Sequence, residues 1–366
     1  MSGGRPSERA EFALALECCR SGFRSAREPA GPVPEAIDWS RFLNLVRFHR
    51  IEGLAAAFLA ENKTAVPPDL VTNLTERAAR IAARNLEAAA DCRKLLAAFD
   101  AESVPLLFVK GLTVAALAYR NASVKNAIDI DLLIDRAHLG RAAGLLRECG
   151  YRLSAPRESR DDEVLSAWHR GWKESVWTKP EPRLQIDLHT RLTDNAKLIP
   201  QVTVHSSRQW VDIRNGIRLP TLADEEIFAY LAVHGAWSAW FRLKWISDFA
   251  GLLHGRPGEE IEHLYRRSLE LGGGRSAGQA LLLADTLFGT LKVAPALRQR
   301  LLEEPTTRRL CRAALRLLTR DPKEPTATPL GSLPIRWLQF LLLPGLDFKI
   351  SELWGQAYRA VHRPPA

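Results

Sequence analysis

The sequence predicts an α+β protein, with a small mixed β-sheet set between an N-terminal and a C-terminal helical region. Three observations predict it. Apolar residues recur at three- and four-residue spacing from Glu8 to about Phe99, and again from Ala223 onward. Between these stretches lie short apolar or alternating runs rich in isoleucine, leucine and valine, such as Val104–Val109 and Ile128–Ile134. The composition, 46% hydrophobic and 25% charged over 366 residues, is that of an ordinary globular chain and excludes a disordered or collagen-like one. At roughly 150 residues per domain the chain has room for two or three units, and the changes of texture place their limits at 1–102, 103–221 and 222–366.

The N-terminal helices are read from Phe12, Ala15 and Leu16, from Phe42, Leu45 and Val46, and from Leu74, Ala78, Ile81 and Ala82. Pro67-Pro68 opens a long helix that ends near Asp100. Val104–Val109 then reads as a strand, Gly111 follows it, and Leu112–Arg120 reads as a helix. After the strand Ile128–Ile134, Asp135 caps a helix running from Ala137 to Cys149, which Gly150 ends. Glu174–Thr178, Arg183–His189 and Val211–Ile213 are further strands, and Asn215-Gly216 is a tight turn leading into Ile217–Leu219. The C-terminal helices are expected over Glu225–Trp240, Leu243–His254, Ile261–Leu271, Ala277–Phe288, Ala296–Leu302 and Thr306–Leu318, with an apolar core segment at Ile335–Leu343.

Lys and Arg exceed Asp and Glu by 51 to 42, a net charge of +9, which favours anionic partners. No block of like charge and no alternation of basic and aromatic residues marks a nucleic-acid groove. Five scattered cysteines without a C-x-x-C pair argue against a disulfide framework and a cysteine zinc site. The first eleven residues do not read as a signal peptide, and the uncharged run Ile227–Phe241 is too short to span a membrane. A cytoplasmic protein without a membrane partner is therefore expected.

The informative stretch is Ile128-Asp-Ile-Asp-Leu-Leu-Ile-Asp135. Alternation places Asp129 and Asp131 on one face of a strand whose other face is apolar. Two carboxylates so placed repel each other, so their replacement by Asn is expected to raise stability slightly. A cation resolves the conflict, and Mg²⁺ is the natural one. Asp187 is set in a second alternating strand, and if the two strands pair, three acids converge as a two-metal phosphoryl-transfer centre requires. Lys110 and Gly111, between a strand and a helix, offer a point charge and an open backbone to a phosphate, with Thr113 adding a hydroxyl. His189 shares the face of Asp187, where it either orients substrate or phosphate or serves structure. His234 and Asp248 would share a face with Trp245 on one continuous helix, where packing among Trp237, Trp240 and Phe241 is favoured over a nucleotide or acceptor pocket.

The order Lys110-Gly111, Tyr119, Lys125, Asp129-Ile-Asp131-Leu-Leu and Asp187-Leu-His189-Thr-Arg191-Leu resembles the uncharacterised nucleotidyltransferase family of the DNA polymerase β superfamily. The resemblance extends through Leu231–His234 and Trp245–Asp248. It implies a small mixed-sheet nucleotidyltransferase core and a nucleoside triphosphate as substrate. Two Mg²⁺ ions would sit on Asp129, Asp131 and Asp187, and the nucleotide would lie against Lys110, Gly111, Thr113, Lys125 and His189. The acceptor is a small molecule, peptide, protein or RNA. Two other readings stay open: a catalytically degenerate binding partner of the antitoxin kind, and a D-x-D glycosyltransferase, which the leading hundred or so helical residues disfavour.

Overall fold

A computed structural model describes residues 10–24, 31, 33–34, 36–62, 66–126, 129–156, 162–320, 322–325 and 330–362. Ile128, where the acid-bearing strand was expected to begin, lies outside them. The chain opens with α1 (Ala10–Phe23), α2 (Trp39–His49), α3 (Glu52–Glu61) and α4 (Pro68–Ala101). Pro68 in the first turn of α4 costs no hydrogen bond, and the 34-residue helix then runs about 50 Å.

The sheet begins at β1 (Leu106–Phe108), from which the chain turns into α5 (Leu112–Tyr119) before β2 (Ile130–Ile134). A short 3-10 turn, capped by the Asp135 carboxylate accepting from the Ala137 amide at 2.8 Å, leads into α6 (Leu139–Glu148). Then come β3 (Arg152–Ala155), α7 (Asp162–Gly171), β4 (Glu174–Lys179) and β5 (Leu184–His189). The strands lie in the order β1-β2-β5-β4-β3, with β2 and β5 parallel and the other neighbours antiparallel. The fold is thus the α+β arrangement expected, with a mixed sheet and helical flanks. A hairpin of β6 (Arg208–Arg214) and β7 (Ile217–Leu222) follows, turning at Asn215 and Gly216, both at positive φ.

The C-terminal region contains α8 (Asp224–Trp237), α9 (Leu243–Leu253), α10 (Gly258–Glu270), α11 (Arg275–Phe288), α12 (Pro295–Glu303), α13 (Pro305–Leu318), α14 (Leu333–Gln339) and α15 (Leu346–Val361). The sequence missed β3, α7 and α15. It also ran α8 on to Trp240, and the structure corrects this: Ala239 and Trp240 take left-handed backbone angles, which break the helix. His234 and Asp248 consequently stand on two helices, not on one continuous one.

Gly53 near the start of α3 bears directly on the site. A Cβ there would sit 2.1 Å from the carbonyl oxygen of Val124, the residue before Lys125. Helix propensity alone says that Gly53→Ala stabilises by about 1 kcal/mol. The contact reverses the sign: the variant is expected to lose about 1–3 kcal/mol, a fall of several degrees in the thermal midpoint. A midpoint at or above that of the wild type in a calorimetric scan contradicts this.

Candidate functional site

Strand β2 is buried along its whole length between two neighbours, which explains its nearly unbroken apolar sequence. Asp131 interrupts that run. Its backbone pairs in register with Asp187 on parallel β5, so the two carboxylates share one face of the sheet. Asp129 lies just before β2, two residues back on the same alternation. The expected pairing of the two acid-bearing strands is therefore present.

Asp131 is 2% exposed and is held on two sides: the Lys110 ammonium lies 2.7 Å from Oδ1, and His189 Nε2 lies 3.0 Å from it. Burial works against the charge, but Lys110 and His189 outweigh it and hold the carboxyl far below its ordinary range. Asp187 fares oppositely. Burial, with the charges of Asp131, Glu174 and Asp129, pushes it up to about 7, although Gln185 donates to it at 2.9 Å. Glu174 stands opposite His189 in the β4–β5 register, 3.2 Å from its Nδ1, and is bonded to Lys173.

On the other side of Lys110 a cavity opens between the sheet and helices α8 and α9. Its wall carries four cations, Arg50, Lys110, Lys125 and Lys244, against Asp129, Asp131 and Asp248. Asp248 is taken up by Lys125 and by the Tyr119 hydroxyl, which donates at 2.9 Å. Lys244 is pushed down to about 7 by burial and by its neighbours Lys125 and Arg50. Leu231, His234 and Trp245 complete the lining, with the His234 ring edge-on to Trp245 at 5.6 Å. An anion in the cavity would meet Arg50 and would favour the protonated form of Lys244.

Gly111 caps α5 at φ 67° and ψ −117°, angles that a side chain disfavours, and it lines the cavity. Thr113 is the correction among the expected site residues. It is fully buried, and its hydroxyl donates to the carbonyls of Phe108 (3.0 Å) and Lys110 (3.2 Å), so it secures the strand-to-helix corner and offers nothing to a phosphate. His234, Trp245 and Asp248, read from sequence as packing, line the cavity as well. Arg50, Glu174 and Lys244 were missed. Each stands on a helix or strand end remote in sequence from the acids, with no local pattern to mark it.

Among the described residues no three His, Cys, Asp or Glu side chains form a ready-made metal cage. The donor chemistry nonetheless suits a hard cation. Asp129, Asp131 and Asp187 offer three carboxylates against the one ammonium of Lys110, and burial together with the acidic neighbours pushes the Asp187 carboxyl up.

A model of the uncharacterised nucleotidyltransferase family matches residues 35–289, which span both acid-bearing strands and the cavity helices α8 and α9. Neither a curated protein nor a solved structure matches the chain.

Asp131 and Asp187 are expected to respond oppositely to substitution. Asp131→Asn strands Lys110 without its partner in a buried site and should cost about 3–5 kcal/mol, which corrects the small gain inferred from repulsion alone. For Asp187 the unfolded carboxyl titrates near 3.8 and the folded one near 7, so the folded state loses stability as pH rises between those values. Asp187→Asn should therefore raise the metal-free melting midpoint on the order of 5 °C at pH 8 and leave it little changed near pH 4. Thermal scans in chelator across that range test both signs.

Proposed function

Because the chain belongs to the uncharacterised nucleotidyltransferase family, we propose that it transfers a nucleoside monophosphate from a nucleoside triphosphate to an acceptor hydroxyl, with release of pyrophosphate. The observation that carries this is the meeting, at Lys110, of a carboxylate cluster with a cavity lined by basic residues. The triphosphate lies in the cavity, where Lys244, Arg50 and Lys110 face its charge and the backbone at Gly111 approaches it closely. Lys110 exchanges its bond to Asp131 for one to the β,γ-phosphates. Lys125 stays on Asp248 and adds its field.

Asp129, Asp131 and Asp187 would hold Mg²⁺, which would lower the pKa of the acceptor hydroxyl and offset charge on the leaving pyrophosphate. In the transfer the acceptor oxygen bonds to the α-phosphorus, the bond from that phosphorus to the β-phosphate bridging oxygen breaks, and the hydroxyl proton passes to Asp187. His189, donating to Asp131 and backed by Glu174, keeps that carboxylate ionised and oriented. A second reading, nucleotide binding without transfer, is favoured by one observation: Asp131 is already bonded to both Lys110 and His189.

Incubation with α-labelled nucleoside triphosphates, Mg²⁺ and a cell extract separates the two. Transfer predicts a labelled acceptor and pyrophosphate, both lost on the order of 10³-fold in Asp129→Asn with the circular dichroism unchanged. Binding without pyrophosphate release decides for the second reading. In calorimetric titrations, Lys110→Ala should weaken triphosphate binding about ten- to a hundredfold and monophosphate binding less.

A further inference from the structure

Helix α15 does not line the cavity, and it carries an apolar face that none of the described residues covers. It is fixed from its other side. Phe348 is buried, and Glu352 is fully buried while accepting from Asn195 (2.9 Å), Gln356 (3.0 Å) and Arg359 (3.1 Å). Arg359 in turn lies over the Trp237 ring at 5.6 Å. At 3.6 residues per turn, Leu346, Ile350, Leu353, Trp354, Ala357 and Val361 fall within an arc of about 100° on the opposite side, and all are exposed. Leu346, Trp354 and Val361 are 76%, 72% and 78% exposed. Together the six residues present on the order of 700 Å² of accessible surface. That exceeds the patch a lone soluble chain ordinarily shows, and it matches what each partner contributes to a standard interface.

We propose that this face is the contact between two copies of the chain, with the α15 helices packed antiparallel about a two-fold axis. The spacing itself supports a second copy as the occupant. With the axis between Leu353 and Trp354, Leu346 of one copy lies opposite Val361 of the other, Ile350 opposite Ala357, and Leu353 opposite Trp354. Each pair joins residues of unequal bulk, and the smallest, Ala357, meets β-branched Ile350. A two-fold interface needs such self-complementarity, because each side presents the same residues. The antiparallel arrangement also sets the N-terminal end of each helix beside the C-terminal end of the other, so the two helix dipoles oppose favourably.

The test is sedimentation of the full chain at about 50 μM, well above a micromolar dissociation constant. The wild type is expected at twice the 40.9 kDa chain mass. Leu353→Lys, at a position open to solvent in the single chain, should weaken association at least tenfold with unchanged circular dichroism. Ala357→Ile should also weaken it by overfilling the contact with Ile350, and the exchange Ile350→Ala with Ala357→Ile should restore it. A monomeric wild type overturns the proposal. So does a dimer indifferent to these substitutions, or co-sedimentation of a monomeric wild type with phosphatidylserine vesicles, which would assign the face to a lipid surface.

Discussion

A carboxylate in the middle of a buried strand has to be neutralised, and much of this molecule is arranged around that requirement. Asp131 meets it through Lys110 from the turn after β1 and His189 from the end of β5, so three separate segments converge on one charge. Glu174 on β4 sets its charge 3.2 Å from the other ring nitrogen of His189, with no hydrogen bond between them, and Glu174 is balanced by Lys173. The chain of compensation crosses three adjacent strands of the sheet. A buried pair of this kind adds little net stability over apolar packing, but losing either member is costly.

The helical region carries the complementary half of the electrostatics. Lys244 and Arg50 come from α9 and from the residue that ends α2, and Lys125 from the loop that α3 presses against at Gly53. Tyr119 and Asp248 tie the end of α5 to α9 directly beside the cavity. The cavity wall is thus assembled from pieces on both sides of the sheet in sequence, and its charge depends on their relative placement.

The sequence showed the acids because strand alternation is a local rule: Asp129, Asp131 and Asp187 betray themselves by interrupting apolar runs. It showed Lys110 and Gly111 because a strand-to-helix corner has its own composition. It did not show Lys244 or Arg50, since a basic residue on a helix surface looks the same whether it meets water or a cavity, and only packing decides. Thr113 misled for the converse reason: a hydroxyl near a helix start is as readily spent on the backbone as on a ligand. Helix α15 escaped because its apolar positions face outward, so its pattern was that of an amphipathic helix without a visible core.

The first turn of α5 has one more consequence. Leu112, Thr113, Val114 and Ala115 are all buried, so the peptide groups that follow Gly111 sit in a water-poor, weakly polarisable surrounding. Their dipoles are little screened there, and each unit of field they direct outward through the glycine is worth several times what the same amide would contribute at a wetted helix end. The hydrophobic plug behind Gly111 is therefore an electrostatic component: by keeping water out, the leucine and its neighbours set the strength with which bare backbone can attract negative charge.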